Sequence, residues 1–422
     1  MKILVLGAGV SGITTAWALA EHGHDVQVLE ESGEAASQCS FANGGQLSYT
    51  HAEPWANPGT LPKVLKWMFK EDAPLVMRFS PDLDMLRWAF AFLRNCTQAR
   101  SDRNSETLLR LGLYSRLKMA ELLESTEIEF HHLQKGILHI FSKEHDYRAA
   151  MRQSLYQEKL GCHEDVLTLS QCLQHEPALQ HATKRIVGGI YSQVDESGDV
   201  HVFTQNLAKW CEERRDVKIH YNTRLAWLRR KNGQIVAAET SRGSIEADAF
   251  VMCLGSHSPI FLKPLGIRAP IYPMKGYSIT IPSWESAPEI SITDNDKKIV
   301  ISRLGDYVRA AGTAEFAGYN THIREARIAP LRRCLQQLFP DAPIFKHRHP
   351  TDIQNWACLR PQTPDGPPII GNTPISNLYI NSGHGTLGWT QAAGSAALLA
   401  NIVDGRNTEI SMNGLELKNY VR

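Results

Sequence analysis

Two kinds of apolar patterning divide this chain. Lys2 to Leu6 (KILVL) is a short continuous apolar run, as in a strand buried on both faces, and it passes directly into a glycine-rich turn. Beyond the turn, Ile13, Ala16, Trp17, Leu19 and Ala20 recur at helical spacing and predict a helix that stops at Gly23. A second strand, Asp25 to Leu29, follows at once. Further along, ADAFVMCLGSH predicts a buried strand ending at Gly255, and NLYINSGHGTLGW (377–389) predicts a strand, then another glycine-rich turn. A helix of small residues, TQAAGSAALLANIVDG, comes next. Between these pieces lie GGIYSQ, GILHIFS, YPMKGYSITIP and KIVISRLGDYVRAAGTAEF, which alternate apolar and polar residues and predict antiparallel strands with one wet face.

Strand, glycine turn, helix and strand in register spell the start of a nucleotide-binding βαβ unit. Gly7 permits the tight turn, Gly9 lets the backbone approach a pyrophosphate, and Gly12 lets helix and strand pack closely. The pyrophosphate then sits at the helix N-terminus, beside Val10 and Ser11, where free N–H groups favour negative charge. Glu30 closes the second strand, where an acid accepts hydrogen bonds from the adenosine ribose hydroxyls and disfavours a 2′-phosphate. FAD or NAD is therefore expected, not NADP. A cleaved secretory signal is the competing reading of the first twenty residues, but cleavage after Ala20 would delete a complete βαβ start. The turn after Tyr379 to Asn381 repeats the phosphate-site logic near the chain's far end.

Composition narrows the partners. At 422 residues, 43% hydrophobic and 21% charged, the chain is long enough for two ordinary cores. A net charge of +1 argues against a nucleic-acid footprint. The eight cysteines include no C-x-x-C pair, and several sit in apolar runs as buried thiols would in a reducing, cytoplasmic compartment; no metal site is spelled out. No run of about twenty apolar residues is present to span a bilayer. Residues 54–96 stand apart, with Trp55, Trp67, Trp88, Phe90 and Phe92 interleaved with lysines and arginines. Two short helices of this kind could lie in a membrane interface, on the inner face of the cell membrane, or pack on the protein's own body.

Four motifs together resemble the FAD-dependent D-amino-acid oxidase and dehydrogenase family: Gly7 to Gly12 with Glu30, Ser40-Phe41-Ala42-Asn43-Gly44-Gly45, Trp356 to Gly366 (WACLRPQTPDG), and Asn381 to Thr390 (NSGHGTLGWT). The likeness spans nearly the whole chain. It implies an α/β fold in which a Rossmann-like FAD-binding domain (1–50, 196–262 and 352–422) carries a discontinuous α+β substrate domain (51–195 and 263–351) built on a mixed, largely antiparallel sheet. It implies a resident FAD rather than an exchanged NAD. Carried over by motif, Ser40, Ala42, Asn43, Gly44 and Gly45 line the flavin ring edge, and Gly383, His384, Gly385, Thr386, Leu387, Gly388 and Thr390 bring backbone N–H groups to its pyrimidine end.

Oxidising an amino acid with a flavin asks the protein for a carboxylate clamp, a hydride path from Cα to N5, and stabilisation of the arriving charge. Arg360 is the expected clamp, since a guanidinium makes two parallel bonds to a carboxylate; an ion pair with Asp365 is the structural alternative. Tyr277 is expected to donate a hydroxyl to the same carboxylate, or else to pack in the sheet, and Arg303 is a second candidate cation. His51 and Tyr49 are expected near the entrance, and His384 in the turn rather than in acid-base work. Cys358 stands where the resemblance leads one to expect glycine, at a spacing similar to that of the flavin-carrying cysteine of monomeric sarcosine oxidases; a small buried residue replacing glycine is the preferred reading. The expected activity is oxidative deamination of D-amino acids to 2-oxo acids and ammonia, with electrons leaving FAD for a quinone or respiratory acceptor. Oxidation of a secondary amine or glycine (D-proline, hydroxyproline, sarcosine) and a non-catalytic flavoprotein subunit of an electron-transfer complex are the alternatives.

Overall fold

In a computed structural model of the chain, residues 1–50, 53–60, 73–78, 82–158, 161–346 and 353–417 are described. The strand Lys2–Leu6 forms where expected and lies between Asp25–Leu29 and Ala249–Met252, parallel to both. The sheet extends through Leu378–Ser382 to Ile369–Asn372 on one side and to Lys218–His220 on the other, giving six strands, of which only Ile369–Asn372 runs antiparallel to its neighbour. Strand alternation divides its burial between two cores. Ile3 and Val5 pack with the helices Val10–Glu21, Val200–Arg215 and Ala392–Val403. Leu4 and Leu6 pack on the other face, under the three-stranded sheet of Leu225–Lys231, Gln234–Thr240 and Gly243–Ile245. An apolar run without polar interruptions follows from being covered on both sides.

The long helix Gln98–Thr126, which the range 51–195 would place with the second body, packs instead against the small-residue helix Ala392–Val403. Gly394 donates its N–H to the Ser115 hydroxyl at 3.0 Å, and a Cβ on Gly394 would stand 2.8 Å from the Ser115 Cα. That closeness is why the second helix is made of alanine, glycine and serine. Leu111, Tyr114, Met119 and Leu122 then enter the first body's core.

The alternating segments form one nine-stranded mixed sheet. Its central members, Tyr272–Pro282, Tyr307–Phe316, Ile299–Leu304 and Ser291–Asp294, are antiparallel, while Ile137–Phe141 joins Ser291–Asp294 in parallel and leads on to Gly188–Ser192 and Asp165–Thr168. The strand Gln354–Gln362 pairs with Tyr272–Pro282, so the start of the 352–422 range belongs structurally to this sheet. One face is covered by the helix Glu325–Leu338, whose Ile328, Leu331, Leu335 and Leu338 meet Ile279, Ile281 and Ile301. The two sheets are sewn together at the Ala42 to Gly45 turn: Ser278 donates to the Ala42 carbonyl at 2.8 Å and Ser302 to the Gly44 carbonyl at 2.7 Å.

Candidate active site

The cavity between the two sheets has a volume of about 340 Å³, within the range of small-molecule and cofactor sites. It begins at the first glycine turn. Gly7 has φ +103°, a left-handed conformation that favours glycine, and a Cβ at Gly12 would stand 1.9 Å from the Gly7 carbonyl oxygen. The helix opening at Val10 has Gly9 at its N-cap, which has no side chain to cap it, and the Val10 N–H donates to the Ser40 hydroxyl at 3.0 Å. Glu30 accepts from the Ala8 N–H at 2.8 Å and the Ser32 N–H at 2.9 Å, which fixes the carboxylate beside the turn. Gly7, Gly9, Val10, Ser11 and Glu30 all line the cavity; Gly12 contributes the close packing beneath it. A positively polarised helix end with an acid at the neighbouring strand tip fits the pyrophosphate and ribose of a dinucleotide.

Beyond the turn, Ser40, Ala42, Asn43, Gly255, His384, Gly385, Thr386 and Gly388 line the wall, with Ser40 still against the Val10 amide. Asn43 accepts the Gly45 N–H at 2.8 Å through its own side chain, and Gly44 and Gly45 lean away from the cavity: Cβ atoms there would stand 3.1 Å from Val300 and 3.0 Å from Leu304. Gly383, Leu387 and Thr390 likewise shape their turn from behind. Leu387 donates to the His384 carbonyl at 3.0 Å, and the Thr390 hydroxyl accepts from Ser48 N–H at 3.0 Å. Gly385 donates to the Pro361 carbonyl at 2.8 Å, joining this turn to the strand that carries Arg360. His384 contacts the Ser395 hydroxyl at 3.1 Å, and burial pulls its pKa down to about 4, so the imidazole is neutral near pH 7.

Arg360 lies in the cavity wall. Alternation along Gln354–Gln362 puts Trp356, Cys358 and Arg360 on one face, with Gly276 opposite Cys358 on the neighbouring strand. A Cβ on Gly276 would meet the guanidinium carbon at 2.4 Å, so the glycine leaves room for the arginine to lie over the strand. Arg360 forms no ion pair among the described residues, and the groups whose charge acts on it are Cys39 and Cys358. Cys39, Gly276 and Trp356 also belong to this wall and escaped sequence reasoning; Cys39 is adjacent to the Ser40 motif and could have been found from it.

Two expectations are corrected by the same alternation. Gly276 and Ser278 face the cavity side, so the intervening Tyr277 side chain turns to the other face, into the apolar layer with Ile279 and Ile281. Its hydroxyl donates to Glu315 and is therefore not directed at a substrate carboxylate, although the residue contributes to the wall. On Ile299–Leu304, Ser302 points to Gly44, which sends Arg303 the opposite way, to a separate cleft with His131, His132 and Glu289. Tyr49 is buried in the core of the first body instead of marking an entrance, and His51 lies outside the described residues.

Behind the cavity wall, Glu315 and Lys275 are both fully buried and paired at 3.1 Å, and Arg78 donates to Glu315 at 2.8 Å. Burial alone would raise the Glu315 pKa, but hydrogen bonds from Arg78, Tyr277 and Lys275 outweigh it and hold the carboxyl at about 2, against an ordinary 4.5. A depressed carboxyl stabilises the folded state above the unfolded value, so this contribution is lost as pH falls from about 4.5 towards about 2. Glu315→Ala should leave Lys275 buried without its partner and cost about 3–5 kcal/mol in denaturant unfolding. An unchanged unfolding midpoint would refute this role.

The profile of the FAD dependent oxidoreductases matches residues 2–402. A D-amino acid dehydrogenase of Paramagnetospirillum magneticum is 43% identical over 423 residues, covering 100% of this chain and 99% of that one; one from Vibrio cholerae is 40% identical over 422 residues, with 100% and 99% covered. Among solved structures, glycine oxidase from Geobacillus kaustophilus superposes with a TM-score of 0.77 at 19% identity, covering 98% of this chain and 97% of that one. L-proline dehydrogenase from P. horikoshii gives 0.75 at 17% identity, covering 100% and 98%, and these two likenesses speak to the fold. With the glycine cradle, the placed acid and the matched family all agreeing, this chain belongs to the FAD-dependent oxidoreductase family.

Proposed function

We propose that this chain is a D-amino-acid dehydrogenase, oxidising D-amino acids to 2-oxo acids and ammonia with FAD and passing the electrons to a quinone or other respiratory acceptor. The observation that carries the reading is Arg360, a cation in the cavity wall with no carboxylate partner among the described residues, in a chain whose full-length relatives bear that name. The first glycine turn and Glu30 would hold the pyrophosphate and ribose, and the Ser40 to Asn43 and His384 to Gly388 turns the ring end. We assign the body around the six-stranded sheet to cofactor binding and the nine-stranded sheet to substrate enclosure.

The chemistry supplied by bound FAD is acceptance of the Cα hydride at the flavin N5, leaving an imino acid that hydrolyses to the 2-oxo acid and ammonia. Arg360 holds the substrate carboxylate by a bidentate bond and fixes the Cα–H direction. The carboxylates in the described lining are Glu30 and Glu31, both at the end of strand Asp25–Leu29. Neither is placed as a base beside Arg360 among the described residues. Turnover of D-alanine, glycine, sarcosine and D-proline with oxygen or with a quinone analogue tests the reading. It expects D-alanine with the quinone to be fastest, and faster reduction of oxygen would contradict the dehydrogenase assignment.

The helix Leu83–Asn95 supports a place for this chemistry. Its inner face, Met85 and Trp88, packs on Tyr272, Met274 and Phe316, and the Trp88 indole N–H donates to the Gln362 carbonyl at 2.8 Å. Its outer face shows Leu83, Leu86, Phe90 and Leu93 at 66%, 55%, 63% and 50% exposure, with Arg87 and Arg94 among them. An apolar stripe flanked by cations suits the interface of an anionic bilayer, where quinones reside. Among the described residues no helix is long and apolar enough to cross a membrane. Leu86→Glu with Phe90→Glu should abolish co-sedimentation with anionic phospholipid vesicles; equal sedimentation of variant and wild type would refute docking through this face.

A further inference from the structure

Two of the eight cysteines differ from the others. Cys96, Cys162, Cys172, Cys211, Cys253 and Cys334 are buried, whereas Cys39 and Cys358 are partly exposed, free, and line the same cavity. They reach it from different walls. Cys39 immediately precedes Ser40, the residue that holds the Val10 amide, while Cys358 sits opposite Gly276 on the strand that carries Arg360. The two segments meet there: the Phe41 and Trp356 rings, each two residues along from one of the cysteines, have centroids 4.5 Å apart, and the two thiols and the Arg360 charge act on one another.

The environment makes them unequal. The neighbouring Cys358 thiol, with the Arg360 charge, outweighs burial and lowers the Cys39 pKa; the neighbouring Cys39, together with burial, raises that of Cys358. A thiolate-prone sulfur next to a protonated thiol is the arrangement of an attacking and a resolving cysteine.

We propose that Cys39 and Cys358 form an oxidation-sensitive dithiol in the active-site wall, which a hydroperoxide converts to a disulfide that stops turnover. The Cys39 thiolate attacks the peroxide oxygen, giving a sulfenic acid as the O–O bond breaks and hydroxide or alkoxide leaves; each sulfenic acid formed takes two electrons from sulfur. The Cys358 sulfur then attacks the sulfenic sulfur, forming the S–S bond and releasing water with the thiol proton. The bridge ties the 39–43 turn to the strand 354–362 beside Arg360, narrowing the space in which the carboxylate is clamped.

The test treats FAD-loaded full-length protein with hydrogen peroxide, quenches with catalase, and reads both peptide masses and flavin reduction by D-alanine. The expected results are a Cys39–Cys358 linked peptide, a mass lower by two hydrogens, loss of flavin reduction, and recovery of both in dithiothreitol. Cys39→Ser and Cys358→Ser should each form no linked peptide; Cys39→Ser should lose the dithiothreitol-reversible part of the inactivation, whereas Cys358→Ser should stop at a Cys39 sulfenic acid. Absence of the linked peptide, inactivation of Cys39→Ser that dithiothreitol still reverses, or irreversible over-oxidation of Cys39 would overturn the proposal. The turnover readout rests on the proposed activity, but the mass readout does not: if D-alanine fails to reduce the flavin while the linked peptide forms, the substrate reading falls and the dithiol stands.

Discussion

Gly12→Ala should give folded protein that retains no FAD through gel filtration. The added methyl would lie 1.9 Å from the Gly7 carbonyl oxygen, so something must shift, and the Gly7 side is the more firmly held. Gly7 is held by its own φ of +103° and by its N–H to the Leu29 carbonyl at 2.8 Å, while Gly12 is in the first turn of Val10–Glu21. The helix must therefore move off the strand, carrying with it the amides that face the pyrophosphate. Overpacking of this kind costs about 3 kcal/mol at the upper end of its usual range. Spent on the binding site, that is a loss of roughly 100-fold in FAD affinity. Gly23→Ala is the control: φ there is +82°, but no atom lies within 4 Å of the added Cβ. It should lower stability by about 1–2 kcal/mol through backbone strain and leave flavin content unchanged. Flavin absorbance per protein after gel filtration and a fluorescence titration with FAD check both. An FAD-replete Gly12→Ala protein would contradict the glycine cradle.

The second large effect is at Arg360. Arg360→Ala should keep its FAD and lose most of its reduction by D-alanine, because the clamp is separate from the turns assigned to the cofactor. Two charge-assisted bonds at about 1.5–3 kcal/mol each amount to roughly 10²- to 10⁴-fold in the rate of flavin reduction at low substrate. Arg360→Lys should fall between, since it keeps the charge and loses the fork. Gly276→Ala provides an independent route to the same defect. Its Cβ would occupy the space of the guanidinium, 2.4 Å from Cζ, and displace the arginine without removing it. Anaerobic rapid mixing separates these cases, and wild-type kinetics in Arg360→Ala would remove the clamp from the mechanism.

The parts of this architecture legible in the chain are those where local pattern and tertiary role coincide. KILVL reads as a buried strand because it is covered on both faces, and Gly7, Gly9 and Gly12 are spaced by backbone requirements that no distant residue can alter. The alternating segments from 137 to 316 read as strands for the same local reason. What could not be read is facing. Tyr277 and Arg303 are in the right strands, but which side of the sheet meets the cavity depends on pairing with residues up to about eighty positions away, and a one-residue change of phase sends a side chain to the opposite layer. The packing of Gln98–Thr126 on Ala392–Val403 was hidden in the same way, since only the pairing of Ser115 with Gly394 reveals it. Cys39 facing the same cavity as Cys358 is a third case: Cys358 stands out in its own segment but Cys39 does not, and the two become a pair when two sheets close on one cavity.

The central claim is that one cavity joins a dinucleotide cradle to an amino-acid clamp. Anaerobic mixing of the FAD-loaded protein with D-alanine, and separately with L-alanine, tests it most directly. The account predicts that the yellow flavin bleaches with the D-enantiomer and stays oxidised with the L-enantiomer; a flavin that neither amino acid reduces, or that L-alanine reduces faster, would contradict it.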